Sequence, residues 1–166
     1  MTEPASGASG ARWLTEPELA AWKGFQRMHA HLTGALAHDL AAHSELSMQD
    51  YQVIAVLCDQ PDARMRAGEL GRELGWEKSR LSHHVARMAD RGLVERVRCP
   101  SDRRGLFVSL TSHGRQVQAA AAPSHVAAVR RSFIDLLDPD QLAAMAGIAR
   151  VVVDALDGPR SAPSVP

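Results

Sequence analysis

Residues 67–110 read AGELGRELGWEKSRLSHHVARMADRGLVERVRCPSDRRGLFVSL, and the punctuation of this stretch decides the fold. A short helical run, Ala67 to Leu74, is broken by Gly75. A second run extends from about Glu77 to Arg91 and stops at Gly92, a helix-ending signal. Leu93-Val94-Glu95-Arg96-Val97-Arg98 then alternates like a half-buried strand. Cys99-Pro100-Ser101-Asp102 is a turn, and Leu106-Phe107-Val108-Ser109-Leu110 is the returning strand of a hairpin.

Working outward, a further helix starts after Ser47, carries Tyr51, Ile54, Ala55 and Leu57, and stops before Pro61. Helix, helix, break, helix and two-stranded hairpin between 48 and 110 is the order of a winged helix-turn-helix. Upstream, Thr15-Glu16-Pro17-Glu18 supplies a cap, a first-turn proline and a capping-box glutamate. Leu19, Trp22, Phe25, Met28, Leu32, Leu36 and Leu40 follow at helical spacing to about His43. Downstream, a helix spans about Ser112 to Leu137, with Pro123 expected to bend or interrupt it. The last helix opens at Asp138-Pro139-Asp140-Gln141 and carries Leu142, Met145, Ile148, Val152 and Leu156. The expected fold is mainly α with a small β-hairpin wing, flanked by long N- and C-terminal helices. Residues 12–157 form one domain on this reading, with the winged helix at about 45–112. The Gly/Ser/Ala/Pro-rich ends, 1–11 and 158–166, read as disordered tails.

The helix at 77–91 carries two faces. At 100° per residue Leu81, Val85 and Met88 share one apolar stripe. Ser79, His83, Ala86 and Asp90 lie opposite, flanked by Arg80, Ser82 and Arg87, with Lys78 at the start. Small hydroxyls and basic side chains near a helix N-terminus suit a major groove. An ordinary amphipathic surface helix would show a similar pattern, and the hairpin shifts the balance. Its tip, Asp102-Arg103-Arg104-Gly105, places two guanidinium groups on a thin turn, which suits the negative potential of a narrow minor groove. Asp102 is positioned in sequence to pair with one of them.

Charge distribution agrees. The net charge of the 166 residues is zero, yet 64–104 holds 11 Lys/Arg against 6 Asp/Glu, a local balance of +5. The remainder holds 8 against 13, so a basic centre stands between acidic flanks. No apolar run approaches the roughly 20 residues of a bilayer span. The start, MTEPASGASGAR, lacks the features of a secretory signal. Two cysteines, Cys58 and Cys99, suit a reducing compartment. The expectation is a cytoplasmic protein with no membrane partner.

From about 13 to 157 the sequence resembles the multiple-antibiotic-resistance-regulator (MarR) family. The resemblance rests on D-x-R, five residues, then L-T, standing here as Asp102-Arg103-Arg104 through Leu110-Thr111, with Gly114 following. Gly68-Glu69-Leu70 through Leu74-Gly75 and Arg91-Gly92-Leu93-Val94 extend it. Trp76 departs from the small aliphatic residue usual at its position, and Glu77 stands near the usual capping Ser or Asp. The resemblance implies a homodimer with interleaved terminal helices, binding a palindromic double-stranded operator, usually as a repressor released by a small ligand and sometimes by metal or oxidation. It casts Arg104 as the minor-groove arginine oriented by Asp102, with Ser79, Arg80, Ser82, His83 and Arg87 on the recognition helix. Independently of the family, the apolar stripes at 19–40 and 142–156 need each other to be buried, with a second chain completing the cover; the alternative is a monomer in which both helices cover the DNA lobe's own core.

Other functions find less support. His29, His31, His38 and His43 on the first helix are badly spaced for joint ligation, and no Cys/His/carboxylate cluster has structural-zinc spacing, so no metal or cofactor is expected. A redox response would fall to Cys99, because Cys58 ends an apolar run and reads as packing. A small-molecule effector would sit between the dimer helices and the DNA lobe, where Trp22, Phe25, His29 and Tyr51 are the candidate lining. No nucleophile elbow, P-loop, dinucleotide fingerprint or metal-hydrolase motif is present, which leaves an enzyme without support. A winged helix kept only for protein interaction predicts loss of the basic wing and helix face, and both are present.

Overall fold

Ser47 opens the helix on which the centre of the molecule is built. Its hydroxyl accepts from the Asp50 backbone N–H, and the Asp50 carboxylate accepts from the Ser47 N–H, a closed capping box. In order, the chain forms α1 (Glu16–His43), α2 (Met48–Cys58), β1 (Arg64–Arg66), α3 (Ala67–Leu74) and α4 (Lys78–Asp90). It continues with β2 (Val94–Cys99), β3 (Asp102–Leu110), α5 (Ser112–Ser132), a 3₁₀ turn at Ile134–Leu136 and α6 (Pro139–Asp157). This computed structural model describes the backbone of residues 12–99 and 102–157. Both expected tails lie outside the described residues.

The chain divides into two compact units between Gly34 and Ala35, within α1. In the first, Glu18 accepts from both the backbone N–H and the hydroxyl of Thr15, at 2.7 and 2.9 Å. The glutamate half of the expected box forms, while the threonine hydroxyl is a donor to it. Trp22, Phe25 and His29 stack in series one turn apart, with centroid separations of 6.0 and 6.1 Å.

In the second unit one core joins α2, α3, α4 and the sheet. Ile54, Leu57, Leu70, Leu81, Val85, Met88, Val94 and Val108 are all buried in it. Each such side chain contributes about 1.5–3 kcal/mol on burial. The expected hairpin is the larger part of a three-stranded antiparallel sheet ordered β1-β3-β2. Val94 pairs with Leu110 and Val97 with Phe107, while Met65 on the other edge pairs with Val108. Strand β1 was invisible in the sequence because three residues are too few to show alternation.

Gly75 sets the angle between α3 and α4. It lies at φ +63°, and the N–H groups of Gly75 and Trp76 return to the carbonyls of Arg72 and Gly71, a Schellman ending. The junction of wing and α5 is equally specified. Thr111 accepts from the Gly114 N–H and donates to the Gly92 carbonyl oxygen at 2.6 Å. A methyl group on Gly114 would overlap the Leu93 carbonyl oxygen and Leu110. The leucine–threonine pair and the following glycine therefore form one steric unit.

Three local expectations are corrected. The helix expected to reach Leu137 stops at Ser132. Phe133 leaves helical geometry at φ −145° and Ile134–Leu136 form a 3₁₀ turn, in which the Asp135 carboxylate accepts from Arg130 of the last helical turn. Pro123 does not interrupt α5, since its ring deletes a single intrahelical bond within a 21-residue helix. Cys58 is exposed rather than packed, because it is the last residue of α2 and points away from the stripe of Val53, Ile54 and Leu57. The last helix starts as its sequence predicts, with Asp138 and Gln141 capping each other reciprocally.

Candidate nucleic-acid interface

Helix α4 separates its residues cleanly. Leu81, Val85 and Met88 are buried, and Lys78, Ser79, Arg80, Ser82, His83, Arg87 and Asp90 are exposed. Ala86 is half-buried. Glu77 occupies the N-cap position but its side chain makes no capping bond. The first N–H groups of α4 therefore face outward uncapped by that residue, an electropositive end suited to a phosphate.

Trp76 has a definite job. The Arg80 guanidinium carbon lies 4.4 Å from its ring centroid, a cation–π contact that restrains a long exposed side chain. The same indole meets His84 edge-on, with centroids 5.3 Å apart and planes at 89°.

His84 was not among the residues singled out from sequence, and it is buried. Its Nε2 lies 3.0 Å from Asp50 Oδ1. That approach is off the N–H direction, so the contact is electrostatic rather than an aligned hydrogen bond. On its other side, Nδ1 lies 3.1 Å from Arg87 Nη2, which donates to it. Asp50 is 2% exposed and is the hub of the arrangement. Its Oδ2 accepts from Arg91 Nη1 at 2.7 Å and from the Ser47 N–H at 3.0 Å. Arg91 Nη2 also donates to the Glu45 carbonyl oxygen. Burial works against the Asp50 charge, but the Arg91 and Ser47 donors outweigh it and hold the carboxyl below the usual carboxylate range. Burial pushes the His84 pKa down; Asp50 opposes this, while Arg87 and Arg80 add to it.

Beside this network an open cleft of about 860 Å³ lies between the start of α2 and α4. Arg80, His83, Arg87 and Arg91 line one side, with Ser47, Gln49, Asp50 and Glu45 on the other. A second cleft of about 850 Å³ separates α4 from the sheet and is lined by Lys78, Ser82, Arg66, Arg72 and Arg96 among others. Helix α4 thus stands between two partly basic recesses. On the sheet, Arg64 and Arg66 bracket the Phe107 ring at 5.6 and 5.2 Å. Asp102, Arg103 and Arg104 belong to β3 by backbone, and Cys99 closes β2; their side chains lie outside the described residues.

The four residues expected to line an effector pocket are divided between the two units. Trp22, Phe25 and His29 form the exposed stack of the first, with Trp22 and Phe25 about half exposed. Tyr51 belongs to the second, where it packs on His125 at 4.1 Å. Although the residue is exposed, partial desolvation at the end of α2 raises the pKa of the Cys58 thiol; Arg115 pulls against it and Asp59 reinforces it, leaving no activated thiolate there. Among the described residues no three His, Cys, Asp or Glu side chains group as metal ligands. No helix among them is long and apolar enough to cross a membrane.

Residues 44–105 match a family model described as MarR family. AbsC, a MarR family transcriptional regulator from Streptomyces coelicolor, is 41% identical in its crystal structure; the likeness covers 88% of this chain and 98% of that one, with a TM-score of 0.81. Sco3205 from the same organism, solved in complex with DNA, is 35% identical over 93% of this chain and 97% of its own, with a TM-score of 0.84. Transcriptional regulator HosA of Escherichia coli O111:H- is 37% identical over 79 residues, 48% of this chain. The chain spans 57% of the length of that curated relative. A three-stranded winged sheet behind a two-faced helix, and full-length likeness at 41% and 35% identity, place this chain in the MarR family of transcriptional regulators.

Proposed function

We propose that this protein is a sequence-specific regulator that binds double-stranded DNA as a homodimer, with α4 in the major groove and the β2–β3 wing on the adjacent minor groove. The observation that carries this reading is the division of α4, whose buried stripe fixes the helix while Ser79, Arg80, Ser82, His83 and Arg87 stand exposed beside a basic cleft. Lys78 joins them at the helix start. Arginine bridges guanine O6 and N7, and each such contact is worth about 1–3 kcal/mol of discrimination. The DNA-bound state of the relative at 35% identity supports the same use of the fold. Asp102, Arg103 and Arg104 take the wing contacts in this proposal, with Arg104 entering the minor groove.

Dimerisation is supported by apolar surface that a single chain leaves open. Ile148, Val151, Val152, Val153 and Leu156 on α6 are all at least half exposed, as are Trp22 and Phe25 on α1. Such density at two helices marks an interface rather than scattered surface residues. Two-fold pairing then reads half-sites about 10–10.5 base pairs apart, or a multiple of that. Repression follows if the operator overlaps a promoter.

The test is a mobility-shift titration of the full chain on the upstream region of its own gene and on a scrambled duplex, at one salt concentration. Arg80→Ala and His83→Ala are expected to lower the specific-to-nonspecific ratio, and Arg104→Ala to weaken both duplexes and shallow the salt dependence by about one unit. Equal losses on both duplexes for the α4 variants would remove base reading from α4.

A further inference from the structure

We infer that His84, buried behind the DNA-facing side of α4, is a positioning residue for Arg87, and that its protonation releases Arg87 and lowers sequence discrimination in mild acid. The inference rests on the DNA-binding reading of α4 and deepens it.

The geometry determines the proton. A guanidinium has only donors, so the 3.1 Å contact from Arg87 Nη2 requires Nδ1 of His84 to be the acceptor. The ring is then neutral, with its proton on Nε2, the nitrogen that lies 3.0 Å from Asp50 Oδ1. Adding a proton turns Nδ1 into a donor aimed at a donor, and the Arg87 bond is lost. The ring has no easy escape, since it is buried and packed perpendicular to the Trp76 indole at 5.3 Å. Arg87 itself is exposed, so without this bond its long side chain regains rotamer freedom.

The charges facing the ring decide how readily this happens. From α2 comes Asp50, with Glu45 just before it on the same cleft. From α4 and its end come Arg80, His83, Arg87 and Arg91. Asp50 favours the imidazolium, but its other oxygen is already engaged by Arg91 and the Ser47 N–H. The guanidinium groups and burial favour the neutral ring, and together they prevail over Asp50. The change therefore falls below the ordinary histidine value of about 6.5.

This gives a sign opposite to simple electrostatics. As pH falls, a protein's overall charge becomes more positive and attraction to any DNA rises. Discrimination instead falls, because Arg87 is no longer held where a base edge can meet it. The experiment measures operator and scrambled-duplex affinities of the full-length protein from about pH 7.5 to about pH 5 at fixed ionic strength. The expected result is a fall in the specific-to-nonspecific ratio of at least about fivefold, the lower end of one lost arginine–base contact. His84→Asn, which keeps an acceptor near the Nδ1 position but does not titrate, should hold the ratio level across the range. His84→Ala should be low throughout, and His83→Asn should keep the fall. A level ratio in the wild type, or a fall that survives in His84→Asn or vanishes in His83→Asn, overturns the inference while leaving DNA binding intact. Absence of any DNA binding overturns the functional reading and this inference with it. If the His84 variants do not fold, the ¹⁵N shifts of His84 in the wild type decide the matter: a proton on Nδ1 at pH 7.5 refutes it.

Discussion

Replacing Asp50 by alanine removes four things at once, and the structure allows their sizes to be set against each other. The N-cap loses the carboxylate that accepts from the Ser47 N–H, worth about 1 kcal/mol by analogy with other lost caps. Arg91 loses a charge-assisted bond of the class worth about 1.5–3 kcal/mol. Its side chain is 43% exposed, so water recovers a good part of that. Arg91 also loses the anchor that aims its second nitrogen at the Glu45 carbonyl oxygen. His84 loses its nearest anion but stays neutral, which costs little near pH 7. The balance is a destabilisation of about 2–3 kcal/mol, below the 3–5 kcal/mol typical when a fully buried charge is abandoned. For a chain of this size that is a fall in Tm of about 4–12 °C. Urea unfolding followed by circular dichroism checks it, with protein concentration fixed because the apparent stability of the proposed dimer depends on it. Asp50→Asn, which retains an acceptor for both donors, should lose only about half as much. A change below about 0.5 kcal/mol for Asp50→Ala would show that the hub is incidental to the fold.

Gly114→Ala should cost about 3 kcal/mol or more, or abolish folding, since the clash is with a backbone oxygen of the wing that cannot rotate away; a thermal midpoint within a few degrees of wild type would refute the steric reading. Stability should decline in acid in two steps of the same sign. His84, depressed in the fold, gives its full contribution above about pH 6.5 and loses it as pH falls; Asp50, also depressed, does the same below about pH 4. Urea midpoints measured against pH should show the upper step absent in His84→Asn and the lower step absent in Asp50→Asn. Trimming the chain to 45–112 should abolish dimerisation, which sedimentation at micromolar concentration detects; a dimeric fragment would move the interface off the terminal helices.

Much of the fold was legible because its boundaries are written in local chemistry. Ser47, Gly75, Gly92, Thr111 and Asp138 each act on backbone groups within a few residues, so the elements they delimit could be read one at a time. What stayed hidden is non-local. The three residues of β1 are a strand only because β3 lies beside them. The end of α5 at Ser132 has no glycine or proline to mark it, and Phe133 turns out of helical geometry at φ −145°.

The candidate interface shows the same division. The exposed side of α4 was readable from its 100° periodicity, and every residue placed there is exposed except Ala86, which is half-buried. His84 escaped notice because a histidine between His83 and Val85 has no pattern of its own. Its burial depends on Asp50, 34 positions earlier, and on Trp76. Two signals did exist. Asp50 stands three residues after Ser47, where a capping carboxylate belongs, and its second oxygen then needs a partner from elsewhere. Trp76 was visible as a departure from the family pattern at the entrance to α4. In the fold that departure joins two residues of one helix, since the indole carries Arg80 over its ring and packs perpendicular to His84. A small aliphatic residue there would leave Arg80 unsupported and open space beside the imidazole. The aromatic substitution therefore stiffens the exposed side of α4 from behind, and it does so through the same buried histidine that accepts from Arg87.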